Sequence, residues 1–291
     1  MGDANPIGIM GGSGLYQLPE IEIVSRKRVD TPFGEPSDEY VIGSLRGIEV
    51  IFLSRHGLGH KIVAPGVNYR ANIYGFKSLG VETLIGVSAV GSLREDLPPT
   101  HMIIPDQIID LTKGRETTFF NDNPAVHVGM GDPTCKALNN VLYDCAVSLG
   151  VNAHLGGTYV CMEGPAFSTR AESNLYRSWN ADVIGMTAAT EAKLCREAEI
   201  CYSALALVTD YDVWKEGADD VTIDIIIEYV RRNAETASKI LKEAILKIPD
   251  LSNCACRNAL ATAIGTSPEA VPDVTRNRLR VLLQKYLPPK E

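Results

Sequence analysis

Residues 204–214 read ALALVTDYDVW. The stretch opens as an unbroken apolar run, the pattern of a strand buried on both faces of a sheet. It ends in two carboxylates, Asp210 and Asp212, with one aromatic between them. In an open α/β sheet the ligand crevice lies beyond the carboxyl ends of the strands, so both acids fall where chemistry is expected. Residues i and i+2 point the same way while the chain stays extended, and on that geometry both carboxylates face one ligand. A solvated turn with Asp leading into the next helix is the competing reading of this stretch taken alone.

Other strand ends upstream speak to the choice. Residues 6–10 form a short apolar strand that runs into Gly11, Gly12, Ser13 and Gly14, a turn whose backbone N–H groups can approach an anion. It lacks the full spacing of a dinucleotide or Walker fingerprint. The strand over 48–53 runs into Ser54-Arg55-His56-Gly57. Arg55 offers a planar fork of donors suited to phosphate and His56 a further donor, although Arg55 could equally pair with an acidic neighbour. The strand over 82–89 ends in Ser88-Ala89-Val90-Gly91. A helix over 187–198 begins at Thr187, either an N-cap or a hydroxyl offered to an anion. Gly, Ser, Arg and His recurring at successive strand ends fit an anion site assembled from several loops.

The remaining pattern is that of an α/β chain. Strands are expected at 39–42, 101–110, 159–162 and 183–186, and helices at 65–79, 133–149, 173–179 and 223–246, with helical patches over 249–263 and 268–287. In the helix over 223–246, apolar positions 226, 227, 230, 234, 237, 240, 241, 244 and 245 keep the 3.6 period. Residues 112–132 read as a long polar loop carrying His127, functional or mobile by its length. Phe167 either stacks on a flat heterocycle or fills core. No repeat or linker interrupts the 291 residues, and one domain is expected.

Composition excludes several classes of partner. Hydrophobic residues make up 45% and charged residues 22% of the chain, values of an ordinary globular protein. A net charge of -8 argues against nucleic acid or an anionic membrane surface. With no span of about 20 apolar residues and no signal-like N-terminus, a cytoplasmic protein is expected. The seven cysteines are scattered, with Cys254-Ala-Cys256 the one close pair. No metal-ligand spacing links them to histidines, so no metal site is expected and most should be small buried apolar residues.

Seven blocks, in order, carry a resemblance: GGSGL (11–15), SRHG (54–57), PGVNYRANI (65–73), SAVGSLRE (88–95), EGPAFSTRAES (163–173), DVIGMT (182–187) and TDYDVWKE (209–216). From about Ile7 to about Ile245 the chain resembles the trimeric purine nucleoside phosphorylase family. The resemblance implies a single-domain α/β/α sandwich around a mixed, twisted, partly barrel-like sheet. It implies phosphorolysis of S-methyl-5′-thioadenosine to adenine and 5-methylthioribose 1-phosphate, with adenosine a secondary substrate. No cofactor is implied; inorganic phosphate is a co-substrate, and the partners are the nucleoside, phosphate and further copies of the chain in a homotrimer or dimer of trimers. Ser13, Arg55, His56, Ser88, Ala89 and Thr187 match the phosphate site. Met186 matches the residue beside the ribose, Phe167 the ring packed on the nucleoside, and Ser168 a neighbour of the base. Asp210 and Asp212 match the carboxylates on the purine N7 and 6-amino group. Val221, Ile223, Ile226 and Ile227 would line an apolar 5′ pocket, which His127 of a neighbouring subunit would enter. Matching positions also suggest Cys135–Cys201 and Cys195–Cys256 disulfides. Two departures stand out: Ala166 replaces an Arg of many relatives, and Gly185 an Asn of some.

A 6-oxopurine phosphorylase is the nearest rival, but its acceptor oxygen asks for a donor such as Asn where this chain has Asp210. A nucleosidase would have no use for Arg55, His56, Ser88 and Thr187 together. A non-catalytic nucleoside-binding protein is the third reading.

Overall fold

In the computed structural model, which describes residues 5–12, 20–216 and 222–288, alternate side chains of the apolar runs enter different cores, as the two-residue period of a strand requires. Strands β1 (Ile7–Gly11), β2 (Glu22–Lys27), β3 (Tyr40–Leu45) and β4 (Ile48–Ser54) come first. Helix α1 (Tyr69–Ser78) leads to β5 (Thr83–Ser92), β6 (Met102–Ile104) and β7 (Gln107–Asp110). Helix α2 (Lys136–Ser148), β8 (Ala153–Leu155), β9 (Thr158–Cys161), α3 (Arg170–Ser178) and β10 (Val183–Gly185) follow. Then come α4 (Ala188–Glu197), β11 (Cys201–Asp210), α5 (Ile223–Lys247), α6 (Asp273–Arg278) and α7 (Arg280–Leu283).

Among the described residues these strands join in one mixed sheet. Its main path runs β2-β3-β4-β1-β5-β10-β9-β7, with β11 on β5 and β6 joining β11 to β8. Ile7 and Ile9 of β1, Val50 and Phe52 of β4, and Ile85 and Val87 of β5 pack with α2 and α5. Met10, Ile51, Leu53 and Leu84, their intervening neighbours, pack with α1, α4 and the C-terminal helices. Helices therefore cover both faces of the sheet, the sandwich expected from the sequence.

Strand β5 positions the site. Strand β11 pairs with one edge of it from Thr83 to Gly91. On the other edge β1 pairs with Thr83–Gly86 and β10 with Gly91 and Ser92. Residues 87–90 are left between β1 and β10, so the sheet splits there and exposes part of Ser88 and Ala89.

Several expectations are corrected. The run over 101–110 is two strands, broken at Pro105, which cannot donate to a ladder. Residues 249–263 hold only the short 3-10 turn Ala255–Asn258. Strand β2, exposed along its whole length, and the three-residue β8 had no buried apolar run to announce them. The loop over 112–132 is pinned: Glu197 accepts from the Thr118 hydroxyl (2.7 Å) and the Phe119 N–H (2.8 Å). All seven cysteines are free thiols, so neither suggested disulfide is present. Cys195 sits in the core on the α4 face and Cys256 in the core on the α2–α5 face. The C-terminal half of α5 packs as expected, with Ala237, Ile240, Leu241 and Ala244 fully buried.

Gly75 shows how tightly α1 meets the sheet. The Tyr40 hydroxyl donates to Asn72 O (2.8 Å) and lies 2.1 Å from where a Cβ on Gly75 would stand. Helix propensity alone favours Ala over Gly by about 1 kcal/mol, whereas overpacking costs about 1–3 kcal/mol. Gly75→Ala is expected to destabilise the fold in equilibrium denaturation; a gain in stability would refute this packing account.

Candidate active site at the split in the sheet

Arg55 follows the last residue of β4 and turns inward, with 2% of its side chain exposed. Its Nη2 donates to Met10 O (3.1 Å) and Glu191 Oε2 (3.2 Å), and its Nη1 to Val87 O (2.8 Å). Its Nε donates to Glu191 Oε1. The guanidinium thus bridges the end of β1 and the middle of β5 beside the split. Four of its five N–H groups are engaged by these bonds, leaving one on Nη1. Burial opposes the charge, but the Glu191 carboxylate outweighs it and holds the Arg55 pKa above its ordinary value. The pairing with an acidic neighbour is therefore the reading observed for Arg55.

Glu191 is a residue that sequence reasoning left unassigned. It sits in the first turn of α4, fully buried, and also accepts from the Tyr202 hydroxyl (2.9 Å). Gly86 makes room for it, since a Cβ there would stand 2.7 Å from Glu191 Oε2.

His56 is corrected from donor to acceptor. Its Nδ1 lies 2.8 Å from Ile62 O; a carbonyl only accepts, so the proton is on Nδ1. Burial and the neighbouring Arg55 charge push its pKa down to about 4. The ring is neutral at pH 7, with Nε2 as a lone-pair acceptor.

Polar atoms gather at the split. Among the described residues the buried Thr187 Oγ1, Tyr159 OH, Ser173 Oγ and Asp212 Oδ2 form no well-aligned hydrogen bond, although Ser88 and Thr187 lie beside Tyr159 and Ser168 and Ser173 beside Asp212. Thr187 precedes α4, yet its hydroxyl does not cap that helix. Burial pushes Tyr159 up to about 12, with the Ser88 and Thr187 hydroxyls beside it acting in the other direction. Tyr159 also explains Gly185: a Cβ there would stand 1.9 Å from its hydroxyl, so no larger residue fits. Ala166 is exposed, and nothing in the described chain explains its replacement of Arg.

The two aspartates meet by a different route from the extended one expected. A bulge between Val208 and Asp210 shifts the register of β11 on β5, and β11 ends at Asp210. Asp212 adopts φ 51°, so the chain turns, and its N–H donates to Asp210 Oδ1 (2.8 Å). The Thr209 hydroxyl donates to Asp210 Oδ2 (2.7 Å). Gly91 allows the close approach, because a Cβ there would stand 2.8 Å from Asp210 Oδ1. Burial raises the pKa of Asp210 against the hydrogen bonds from Thr209 and Asp212. Burial likewise raises Asp212, with the Ser173 and Ser168 hydroxyls opposing and the Asp210 charge assisting.

Around this centre, Ser168 is buried, Met186 half-buried and Phe167 exposed at 37%, so Phe167 does not fill core. Arg115, another residue sequence reasoning missed, reaches from the 112–132 loop to Met186 O (2.5 Å), Glu163 O (2.6 Å) and Glu163 Oε1 (2.9 Å). Asn233 of α5 donates to Val208 O (3.1 Å) and ties that helix to the end of β11. An Arg in a polar loop and an Asn within an apolar helical stripe were the only signals. Ile226 is half-buried and Ile227 exposed at the start of α5. Ser13, Val221 and the Ile223 side chain lie outside the described residues. His127 is exposed, its backbone N–H on Ala263 O (2.9 Å); among the described residues it joins none of the contacts above.

Removing the Glu191 charge strands Arg55 in the core. Glu191→Ala is expected to cost about 3–5 kcal/mol, read by urea denaturation; a loss below 1 kcal/mol would mean the pair does not organise the strand ends.

The family model of the phosphorylase superfamily matches residues 6–246. An S-methyl-5′-thioadenosine phosphorylase from Koribacter versatilis is 54% identical over 280 residues, 96% of each chain. One from Geobacter sulfurreducens is 51% identical, covering 97% of this chain and 99% of that one. Among solved structures, a methylthioadenosine phosphorylase from an antarctic soil metagenomic library superposes with TM-score 0.90 at 45% identity, covering 97% of this chain and 99% of that one. A methylthioadenosine phosphorylase from Schistosoma mansoni in complex with adenine gives TM-score 0.86 at 32% identity, covering 90% and 99%. Sequence and fold agree over nearly the whole length, and the chain belongs to the phosphorylase superfamily.

Proposed function

We propose that this protein is a pentosyltransferase that cleaves S-methyl-5′-thioadenosine with phosphate, giving adenine and 5-methylthioribose 1-phosphate. The observation that carries the reading is the Asp210–Asp212 pair at the end of β11. Burial raises both carboxyls toward neutrality, as a proton donor to a leaving purine requires. The names of the relatives supply the substrate.

Phosphate sits at the split in the sheet, taking the free Arg55 Nη1 donor, the Thr187 and Ser88 hydroxyls and backbone N–H groups near Ala89, with Ser13 completing the site. Neutral His56 accepts a hydrogen bond from the phosphate P–OH at Nε2 and so orients the nucleophile. Phosphate attacks C1′ from the face opposite the base, through an oxocarbenium-like transition state that its charge stabilises. Asp210, with Asp212 beside it, delivers or shares a proton at N7, and adenine leaves neutral. Met186 packs beside the ribose, Phe167 over the nucleoside and Ser168 beside the base. Val221, Ile223, Ile226 and Ile227 form the apolar 5′ pocket. His127 completes that pocket from a neighbouring copy in a homotrimer or dimer of trimers; a stable, active monomer in an equilibrium mass measurement would remove this role. The reaction needs no cofactor.

The direct test is release of free base from methylthioadenosine, adenosine and inosine, with and without phosphate. Phosphate-dependent adenine release, fastest with methylthioadenosine, is expected; release without phosphate would mean a nucleosidase. Asp210→Asn tests the carboxylate separately. It should lower kcat/KM for methylthioadenosine at least 100-fold and favour 6-oxopurines, whose O6 accepts from an amide.

The stability change has a defined sign. A carboxyl whose folded pKa is raised binds its proton more tightly in the folded state. Its contribution is full below the unfolded value and is lost as pH rises through the folded one. Asp210→Asn is therefore expected to leave Tm at pH 7 unchanged or higher; a marked fall would show that the charge stabilises the fold.

A further inference from the structure

Four cysteines that are far apart in sequence converge on the face of the sheet away from Arg55 and Glu191. The Sγ atoms of Cys135, Cys201, Cys254 and Cys256 all lie within 4.8 Å of one another, and those of Cys135 and Cys254 are 3.7 Å apart. In a tetrahedral zinc site with Zn–S of about 2.3 Å, sulfurs stand roughly 3.8 Å from each other. Two thiols close to each other could be a disulfide pair or ordinary packing. Four thiols all within 4.8 Å of one another are close enough to share one ion. Cys135, Cys201 and Cys256 are buried and Cys254 partly so, which leaves an entry side.

We propose that these four cysteines bind one structural zinc ion as thiolates. The scaffold is rigid where it must be. Cys201 opens β11 and pairs with Thr83, and the Cys135 N–H donates to Tyr202 O (2.7 Å). The other two ligands come from the turn after α5, where Cys254 N–H donates to Leu251 O and Arg257 N–H to Cys254 O, each 2.9 Å. Cys135 is the N-cap of the 13-residue α2, whose positive end favours a thiolate. Each ligand thiol releases its proton to solvent as the metal binds. Four protein ligands leave no open position, so the ion is structural. It would clamp the segment after α5 to the first residues of β11. That segment reaches the rest of the fold through Tyr74 OH on Arg278 O (3.2 Å) and the Val126–Ile264 bridge to the 112–132 loop.

The test uses the full chain made without a metal-binding tag, with metal content measured by elemental mass spectrometry. About one zinc per chain is expected. After chelation, cobalt(II) should give the thiolate charge-transfer and strong visible bands of a tetrahedral sulfur site. Cys254→Ser, at the least buried ligand, should lose the metal and lower Tm, while Cys145→Ser, on α2 outside the cluster, should keep it. If Cys254→Ser does not fold, wild-type cobalt spectra and mercurial-triggered zinc release decide alone. No zinc after reconstitution with zinc salts, no cobalt–thiolate bands, or alkylation mapping these cysteines as disulfides would overturn the proposal.

Discussion

The buried pair of Arg55 and Glu191 is the constraint on which the rest of the structure depends. Neither charge is tolerable alone in the core, since an unpaired buried ion costs several kcal/mol. Each is therefore surrounded: Arg55 by the carbonyls of Met10 and Val87, Glu191 by the Tyr202 hydroxyl. Those partners belong to β1, β5 and β11, so one electrostatic requirement ties three strands and the first turn of α4 together. The split in the sheet follows from the same arrangement. Where β1 has stopped and β10 has not begun, the guanidinium takes Val87 O, a carbonyl that a neighbouring strand would otherwise use.

The second constraint is close approach at glycine. Gly86 admits Glu191, Gly91 admits Asp210 and Gly185 admits the Tyr159 hydroxyl. None of these three has its backbone in the left-handed region; they are small because side chains from other elements occupy the space of their Cβ atoms. Among the described residues, Thr187 Oγ1, Tyr159 OH and Asp212 Oδ2 form no well-aligned hydrogen bond, although hydroxyls lie beside them. Buried polar atoms are rarely left so, and several together at one strand-end crevice mark where a polar ligand belongs.

The two faces of the sheet divide the labour. On the α1–α4 face the core surrounds an ion pair that organises the candidate crevice at the split. On the α2–α5 face it surrounds four thiols that draw the segment after α5 onto β11. Both clusters touch β11, through Tyr202 and Cys201 respectively. The same strand ends in Asp210, so the thiol cluster at its first residues and the proposed proton donor at its last share one strand.

Much of this was legible in the chain itself. Apolar runs bounded by polar turn residues gave the α/β class and the strand ends near 55 and 210, because burial and turn chemistry are local, whereas the strand expected to end at 88–89 runs on to Ser92. The hydroxyl cluster, the role of Glu191 and the reach of Arg115 were not legible, since each depends on a partner from a distant element. His56 was read as a donor because the sequence cannot show that Ile62 O holds its Nδ1 proton. The aspartates were placed on one face by an extended geometry that the bulge and the turn at Asp212 replace. The cysteines were read as scattered for the same reason: spacing along the chain says nothing of four thiols from α2, β11 and the turn after α5. The sequence by itself determined the fold class and most of the apolar runs with their turns, through local patterns of burial and turn formation, and its motif blocks carried the resemblance to the family. Only the tertiary structure decided which of those residues carry charge, which donate and which are paired, because those properties are set by neighbours brought together across the sheet.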